Sequence, residues 1–131
     1  MKNKLLILTA TLTLTATLTT QAYAFENVSG CEEGDYVTVE AKTANIVTQN
    51  GYTPKCLKIK AGTTVSIQAS SHHPLQAQRD VAGAANPFRA NAPSTSTQTH
   101  TLSTPGFYGY YCVNHGDESG RGMAGSIQVV Q

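Results

Sequence analysis

Short runs of alternating apolar and polar residues recur along most of the chain and predict β-strands. These runs are rich in β-branched and aromatic residues, and none of them carries a sustained helical stripe. Turn-forming residues, such as Ala61-Gly62 and Thr104-Pro105-Gly106, separate neighbouring runs. The pattern favours an all-β fold, a β-sandwich, with strands at residues 36–41, 57–60, 65–69, 97–102, 107–112 and 126–130.

One segment breaks this pattern. Residues 70–96 are rich in Ala, Pro, Asn and Ser and are too long for a hairpin turn. We expect either a functional loop or a loop that holds a short helix near residues 80–85.

The N-terminus has the pattern of a secretory signal peptide. Lys2 and Lys4 precede an apolar stretch at residues 5–18, and Ala22-Tyr23-Ala24 then supplies a small-x-small cleavage pattern. A membrane anchor or a buried helix is the alternative, but the stretch is shorter than the roughly 20 apolar residues that span a bilayer. We therefore expect residues 1–24 to be a signal peptide and residues 25–131 to form a single domain.

Composition and charge narrow the class of protein. The 131 residues are 40% hydrophobic and 13% charged, which suits one modest globular core. Nine basic residues balance eight acidic ones, and removal of Lys2 and Lys4 leaves seven against eight. This near-neutral balance gives no electrostatic footprint for nucleic acid or for an anionic membrane surface.

The chain has three cysteines, so at least one cannot pair within the chain. Export favours oxidation of the others. The economical division is a Cys31–Cys56 disulfide, worth roughly 3–4 kcal/mol in the loop-entropy model, and a free functional thiolate at Cys112. Two buried unpaired thiols at positions 31 and 56 are the alternative.

Candidate metal chemistry is concentrated near the C-terminus. Cys112 and His115 stand three residues apart just past a predicted strand, and Met123 follows. A second imidazole is available about 40 residues upstream, at His72 or His73. Two His, one Cys and a weak axial Met form the ligand set of a blue-copper site.

Four segments carry a resemblance to a known family. They are YTPKCLKIKAGTTVSI, HHPL, PGFYGYYCVNHG and GMAGSIQVV. Together they resemble the cupredoxins, in particular the small exported plastocyanin- and azurin-like domains, over most of residues 30–130. The resemblance implies a Greek-key β-sandwich that binds one type 1 copper ion through His73, Cys112, His115 and Met123.

This sequence departs from the family pattern at two positions. Met123 follows His115 by eight residues, whereas related domains place the Met about three to five residues after the second His. Residues 117–122 lengthen the loop, and its glycines would let it fold back. Many relatives also have an Asn after the first His that braces the two ligand loops, but this chain has Pro74. The bracing of Cys112 must therefore differ.

Other assignments remain possible for the histidines and for Met123. Adjacent strand residues point to opposite sides, so only one of His72 and His73 is expected to face the metal, and the His-Pro-Leu match favours His73. His100 lies in a polar alternating strand and is expected at the surface. Met123 could instead serve as core packing.

A copper ion held by such ligands has no readily open position for substrate, so electron transfer is favoured over catalysis. Four histidines also leave too few for a second site of three. We expect no enzymatic activity and predict an electron carrier. A protein that sequesters or delivers copper is the main alternative, in which the glycine-rich segment 116–125 would open. A metal-free adhesion domain would leave Cys112 and His115 unexplained.

The carrier hypothesis also predicts location and partners. We expect a periplasmic or secreted monomer that meets redox partner proteins or, in the alternative, copper-exchange partners. A partner would approach through a weak contact at an apolar rim around His115. The candidates for this rim are Pro74, Pro87, Phe88 and Pro93.

Overall fold

The computed structural model describes residues 23–81 and 85–131. Within them the regular structure is nine β-strands and one 3₁₀ turn at Glu33–Asp35. The strands are β1 (Val37–Val39), β2 (Thr43–Thr48), β3 (Tyr52–Thr53), β4 (Cys56–Lys60), β5 (Thr63–Ile67), β6 (Leu75–Ala77), β7 (Gln98–Leu102), β8 (Gly106–Gly116) and β9 (Gly122–Val130).

The strands form two mixed sheets. One sheet has the order β1-β4-β9-β8-β6, and the other has the order β3-β2-β5-β7. Neighbours in the sheets are mostly distant in sequence: β4 pairs in parallel with β9, and β2 pairs in parallel with β5. The predicted all-β Greek-key sandwich is confirmed.

Apolar side chains of both sheets form a single core. Alternation explains how they reach it, since β5 buries every second residue along its length. The first five residues of β8 are all buried, which fits a central strand between β9 and β6. The largest fully buried aliphatic side chains are Ile46, Leu57, Ile59, Val65, Ile67, Leu75, Leu102 and Ile127.

Residues 70–96 do not form one continuous loop, because β6 lies within them and pairs with β8. A bridge between Leu75 and Ser94 fastens the far end of the segment to the same place. The expected short helix near residues 80–85 lies largely outside the described residues, which omit 82–84. The expected signal peptide at residues 1–24 also lies outside the described residues, apart from residues 23 and 24.

The predicted disulfide between Cys31 and Cys56 is confirmed, with their Cα atoms 5.9 Å apart. It fastens the segment before β1 to the start of β4, and Cys112 is free and buried. Among the described residues there is no helix with the length and hydropathy that a membrane span requires.

Candidate metal centre

His73 lies in a tight corner between β5 and β6. The Ser70 hydroxyl oxygen accepts a hydrogen bond from the His73 backbone N–H (3.1 Å), and the Ser70 N–H donates to the His73 carbonyl (3.2 Å). Pro74 is buried directly after the corner, and β6 then begins at Leu75. Because Leu75 pairs with Cys112 on β8, the corner brings His73 alongside the cysteine.

Cys112 and His115 lie where the pairing of β8 and β9 is irregular. Tyr111 pairs with Ala124, and the next pair joins Gly116 to Gly122. Residues 112–115 on β8 therefore lie across from one residue on β9, which is Met123. This wide bulge turns the Cys-x-x-His segment toward the His73 corner.

Three side-chain donors meet at this end of the sandwich. The Cys112 Sγ lies 3.4 Å from the His115 Nδ1 and 3.9 Å from the His73 Nδ1. All three donor atoms fall within 4.8 Å of one another. The Cys112 thiol is fully buried, His73 is half-buried and His115 is exposed. A thiolate and two imidazoles at this spacing fit a copper ion and match the strong donors of a type 1 site.

The electrostatics of the corner favour a neutral imidazole at His73. Partial desolvation, followed by the neighbouring His115 and His72 rings, holds the pKa of His73 below its usual value. A neutral imidazole has a free nitrogen lone pair, which is the form that binds metals. The His73 side chain therefore needs little deprotonation before it can act as a ligand.

His72 is exposed and is not one of the three clustered donors. Its ring centroid lies 5.1 Å from that of His73 and 5.8 Å from that of His115. It forms an outer imidazole beside the group. His100 is on β7, where it is half-buried with its ring edge-on to Phe88 at 4.9 Å, so it is less exposed than the sequence suggested.

Met123 is half-buried and packs against the core cluster that includes Cys112. Its long spacing from His115 has a simple structural cause. The β8–β9 hairpin continues past the bulge to the Gly116–Gly122 pair, and the extra residues form the hairpin loop beyond it. Met123 thus returns to the bulge although eight residues separate it from His115.

The hairpin loop is held by hydrogen bonds to Asp117. Its carboxylate accepts from the Ser119 N–H (2.9 Å) and from the Arg121 Nε (3.0 Å), and it also accepts from the Ser119 hydroxyl. These bonds, the Ser119 hydroxyl first, lower the pKa of Asp117 to about 2. Residues 122–125, expected to belong to an opening segment, are instead part of β9.

The apolar rim expected around His115 is wrong for two of its four residues. Phe88 is only 2% exposed and belongs to the core, and Pro74 is buried. Pro87 is half-buried and Pro93 is exposed. Phe88 is an aromatic residue in a Pro- and Asn-rich segment, and its burial depends on the fold of that segment against β7, which the local sequence does not reveal.

Asn114 has a contact that was not anticipated from the sequence. Its Nδ2 donates to the His72 carbonyl (3.1 Å), while the neighbouring Val113 N–H donates to the Pro74 carbonyl (3.1 Å). Both bonds join the Cys112–His115 segment to the His73 corner. The only available signal was the position of an amide side chain between two candidate ligands.

Comparison with known proteins identifies a plastocyanin and a pseudoazurin among the chains that are similar to this one. No protein-family model matches the chain. A plastocyanin from Prochlorothrix hollandica is 39% identical over 85 residues, which cover 60% of this chain and 62% of the relative. The chain thus spans about three-fifths of the length of that relative.

Solved structures give the same picture of the fold. A pseudoazurin from Sinorhizobium meliltoi is 25% identical, with a TM-score of 0.53 over 68% of this chain and 74% of that one. A copper-containing nitrite reductase from Thermus scotoductus is 20% identical, with a TM-score of 0.54 over 75% of this chain and 28% of that one. The second likeness concerns the fold alone.

Proposed function

We propose that this chain is a cupredoxin, that it binds one type 1 copper ion and that it acts as an exported one-electron carrier between redox partners. The observation that carries the proposal is the meeting of the Cys112 thiol with the His73 and His115 imidazoles, at 3.9 and 3.4 Å. The proposed ligands are His73, Cys112, His115 and, as the weak axial donor, Met123.

The donor set favours electron transfer over catalysis. Copper in such a site supplies a one-electron couple between Cu(II) and Cu(I). The buried Cys112 pairs with Leu75 of β6, and the preceding Tyr111 pairs with Ala124 of β9, so the sheet sets the position of the thiol. His100, on β7, packs against Phe88 and does not join the cluster, so the described residues hold no second group of three imidazoles.

His115 is the proposed point of electron entry and exit. Among the three clustered donors its side chain is the exposed one, while Cys112 is fully buried. A partner at this surface would come within direct reach of one ligand edge while the thiolate stays shielded from water. A weak and transient contact is enough for such an exchange.

Export is supported by the signal pattern of residues 1–24 and by the Cys31–Cys56 disulfide, since disulfides persist outside the cytosol. Phe25, the first residue after the proposed cleavage, packs edge-on against Phe107 at 5.5 Å and Tyr36 at 6.2 Å. Cleavage after Ala24 would therefore leave the new N-terminus anchored on the domain.

Copper sequestration or delivery is the second candidate function. It is favoured by His72, an exposed imidazole that lies beside both His73 and His115. Such an outer donor could meet copper before or after it occupies the inner group. The mature chain would then exchange metal rather than electrons with its partners.

Titration of the mature apo protein with Cu(II) tests the copper site. We expect an intense visible thiolate-to-copper band that saturates at one equivalent. Cys112→Ala should abolish the band while the far-ultraviolet circular dichroism stays that of a folded sandwich. His100→Ala is the matched control, since it removes an imidazole away from the cluster and should keep the band. A wild-type protein without the band would exclude a type 1 site.

A further inference from the structure

Asn114 joins the two segments that carry the proposed ligands. We propose that it is a positioning residue. Its side-chain amide ties the Cys112–His115 segment to the His72–Pro74 corner and so keeps the proposed ligands of the two segments close together. The inference rests on the proposed copper site, but the tie joins protein groups only and can be tested without metal.

Two hydrogen bonds form the tie. The Asn114 Nδ2 donates to the His72 carbonyl at 3.1 Å, and the Val113 N–H donates to the Pro74 carbonyl at 3.1 Å. The two acceptors flank His73, and the donor Asn114 lies between Cys112 and His115. The pair of bonds therefore brackets one proposed ligand and starts between the two others.

The chemistry of the corner explains why the donor comes from the other segment. Pro74 has no N–H, so the corner cannot donate a hydrogen bond at that position. The corner instead presents the carbonyls of His72 and Pro74 as acceptors. A carbonyl needs a donor, and at this position the Asn side chain supplies one through its NH₂ group, whereas an ionised Asp could not. Asn114 thus takes the bracing role that Pro74 cannot fill.

Loss of this bond should loosen the corner against β8. Loss of a single hydrogen bond typically corresponds to roughly a 2- to 10-fold change in an opening equilibrium. We expect the change to affect the separation of His73 from Cys112, since that contact spans the two segments. Copper retention and the reduction potential should both respond.

The first arm of the test needs no metal. Backbone amide hydrogen exchange is measured on the mature apo protein for wild type, Asn114→Ala and Asn114→Leu, neither of which donates or adds charge. The Val113 amide should exchange roughly 2- to 10-fold faster in both variants. The Gly62 amide, which donates to the Leu102 carbonyl (2.8 Å) across the other sheet, should not change.

The second arm measures the copper form of the same proteins. Copper loss to excess chelator should be roughly 2- to 10-fold faster in both variants, and the reduction potential should shift. Asn91→Ala is the matched control, because Asn91 is exposed and makes no side-chain hydrogen bond to the described part of the chain. It should leave exchange, copper loss and potential unchanged.

Each result has a defined meaning. Unchanged Val113 exchange in both Asn114 variants would overturn the tie. Faster exchange with unchanged copper loss and potential would overturn the positioning role. If wild type shows no copper band, the proposed function fails, while the exchange arm still decides whether Asn114 ties the two segments.

Discussion

The choice between two adjacent imidazoles is the sharpest question at the scale of single residues. His73 places its Nδ1 3.9 Å from the Cys112 Sγ, whereas the exposed His72 lies outside the donor cluster. His73→Ala should weaken copper binding by more than about 100-fold, beyond the 10- to 100-fold loss typical of outer-shell partners. His72→Ala should stay within about 10-fold of wild type. Competition titration against a chelator measures both, and a larger loss in His72→Ala would make His72 the ligand.

Copper chemistry, rather than position, distinguishes whether Met123 acts as a weak copper ligand or only as a packing residue. It lies opposite the bulge of β8, half-buried against the core. Met123→Leu should keep copper bound and raise the reduction potential, because loss of a weak donor and of local polarity disfavours the more highly charged Cu(II). Voltammetry of the two copper forms gives the comparison. An unchanged potential would mean that Met123 only packs.

The candidate ligands Cys112 and His115 were predicted from their local spacing, whereas His73 was predicted from its His-Pro-Leu context far upstream. Cys112 and His115 stand three residues apart, and the motif around them is contiguous. Asn114 was missed because its partner, the His72 carbonyl, is 42 residues away and is a backbone atom. Phe88 was assigned to the surface because its burial depends on His100 and β7 rather than on its neighbours in the chain. Contacts between distant segments leave no local pattern.

At the scale of strands, the sequence pattern predicted β1, β4, β5, β7, β8 and β9 and missed β2, β3 and β6. In β2 only Ala44 and Ile46 are buried, and the apolar Val47 is exposed. The strands β3 and β6 have only two and three residues. Such short or polar strands are held by their neighbours, as β6 is by β8. β8 and β9 were found but extend further than predicted, because the hairpin beyond the bulge lacks an apolar pattern.

The contact between β8 and β9 near the site leaves no room for a side chain at Gly125. A Cβ there would lie 2.3 Å from the Tyr110 hydroxyl and 2.7 Å from the Lys55 carbonyl oxygen. Gly125→Ala should lower the free energy of unfolding by about 1–3 kcal/mol through overpacking. Gly34→Ala is the control, since a Cβ there meets nothing within 4 Å. Urea denaturation measures both, and equal stabilities would contradict the close packing.

For the molecule as a whole, the described ligand end is polar at its surface rather than ringed by apolar residues. The exposed side chains of His72, Asn114 and His115 lie together there, while Pro74 and Phe88 are buried. Without residues 1–24, the proposed signal peptide, the chain would have seven basic and eight acidic residues. Two copies could therefore approach with little net repulsion.

The two candidate functions make opposite demands on this end of the molecule. A carrier needs the exposed His115 edge to be accessible while the metal stays bound, and the Asp117 carboxylate and the Asn114 amide both hold the surrounding segments in place. A copper handler needs the same segments to open. We expect fast electron self-exchange together with slow copper loss to a chelator, measured under the same conditions. Asp117→Ala should release the hairpin loop and speed copper loss, with Asp80→Ala as a carboxylate control. Slow self-exchange with ready copper transfer in the wild-type protein would instead support copper handling.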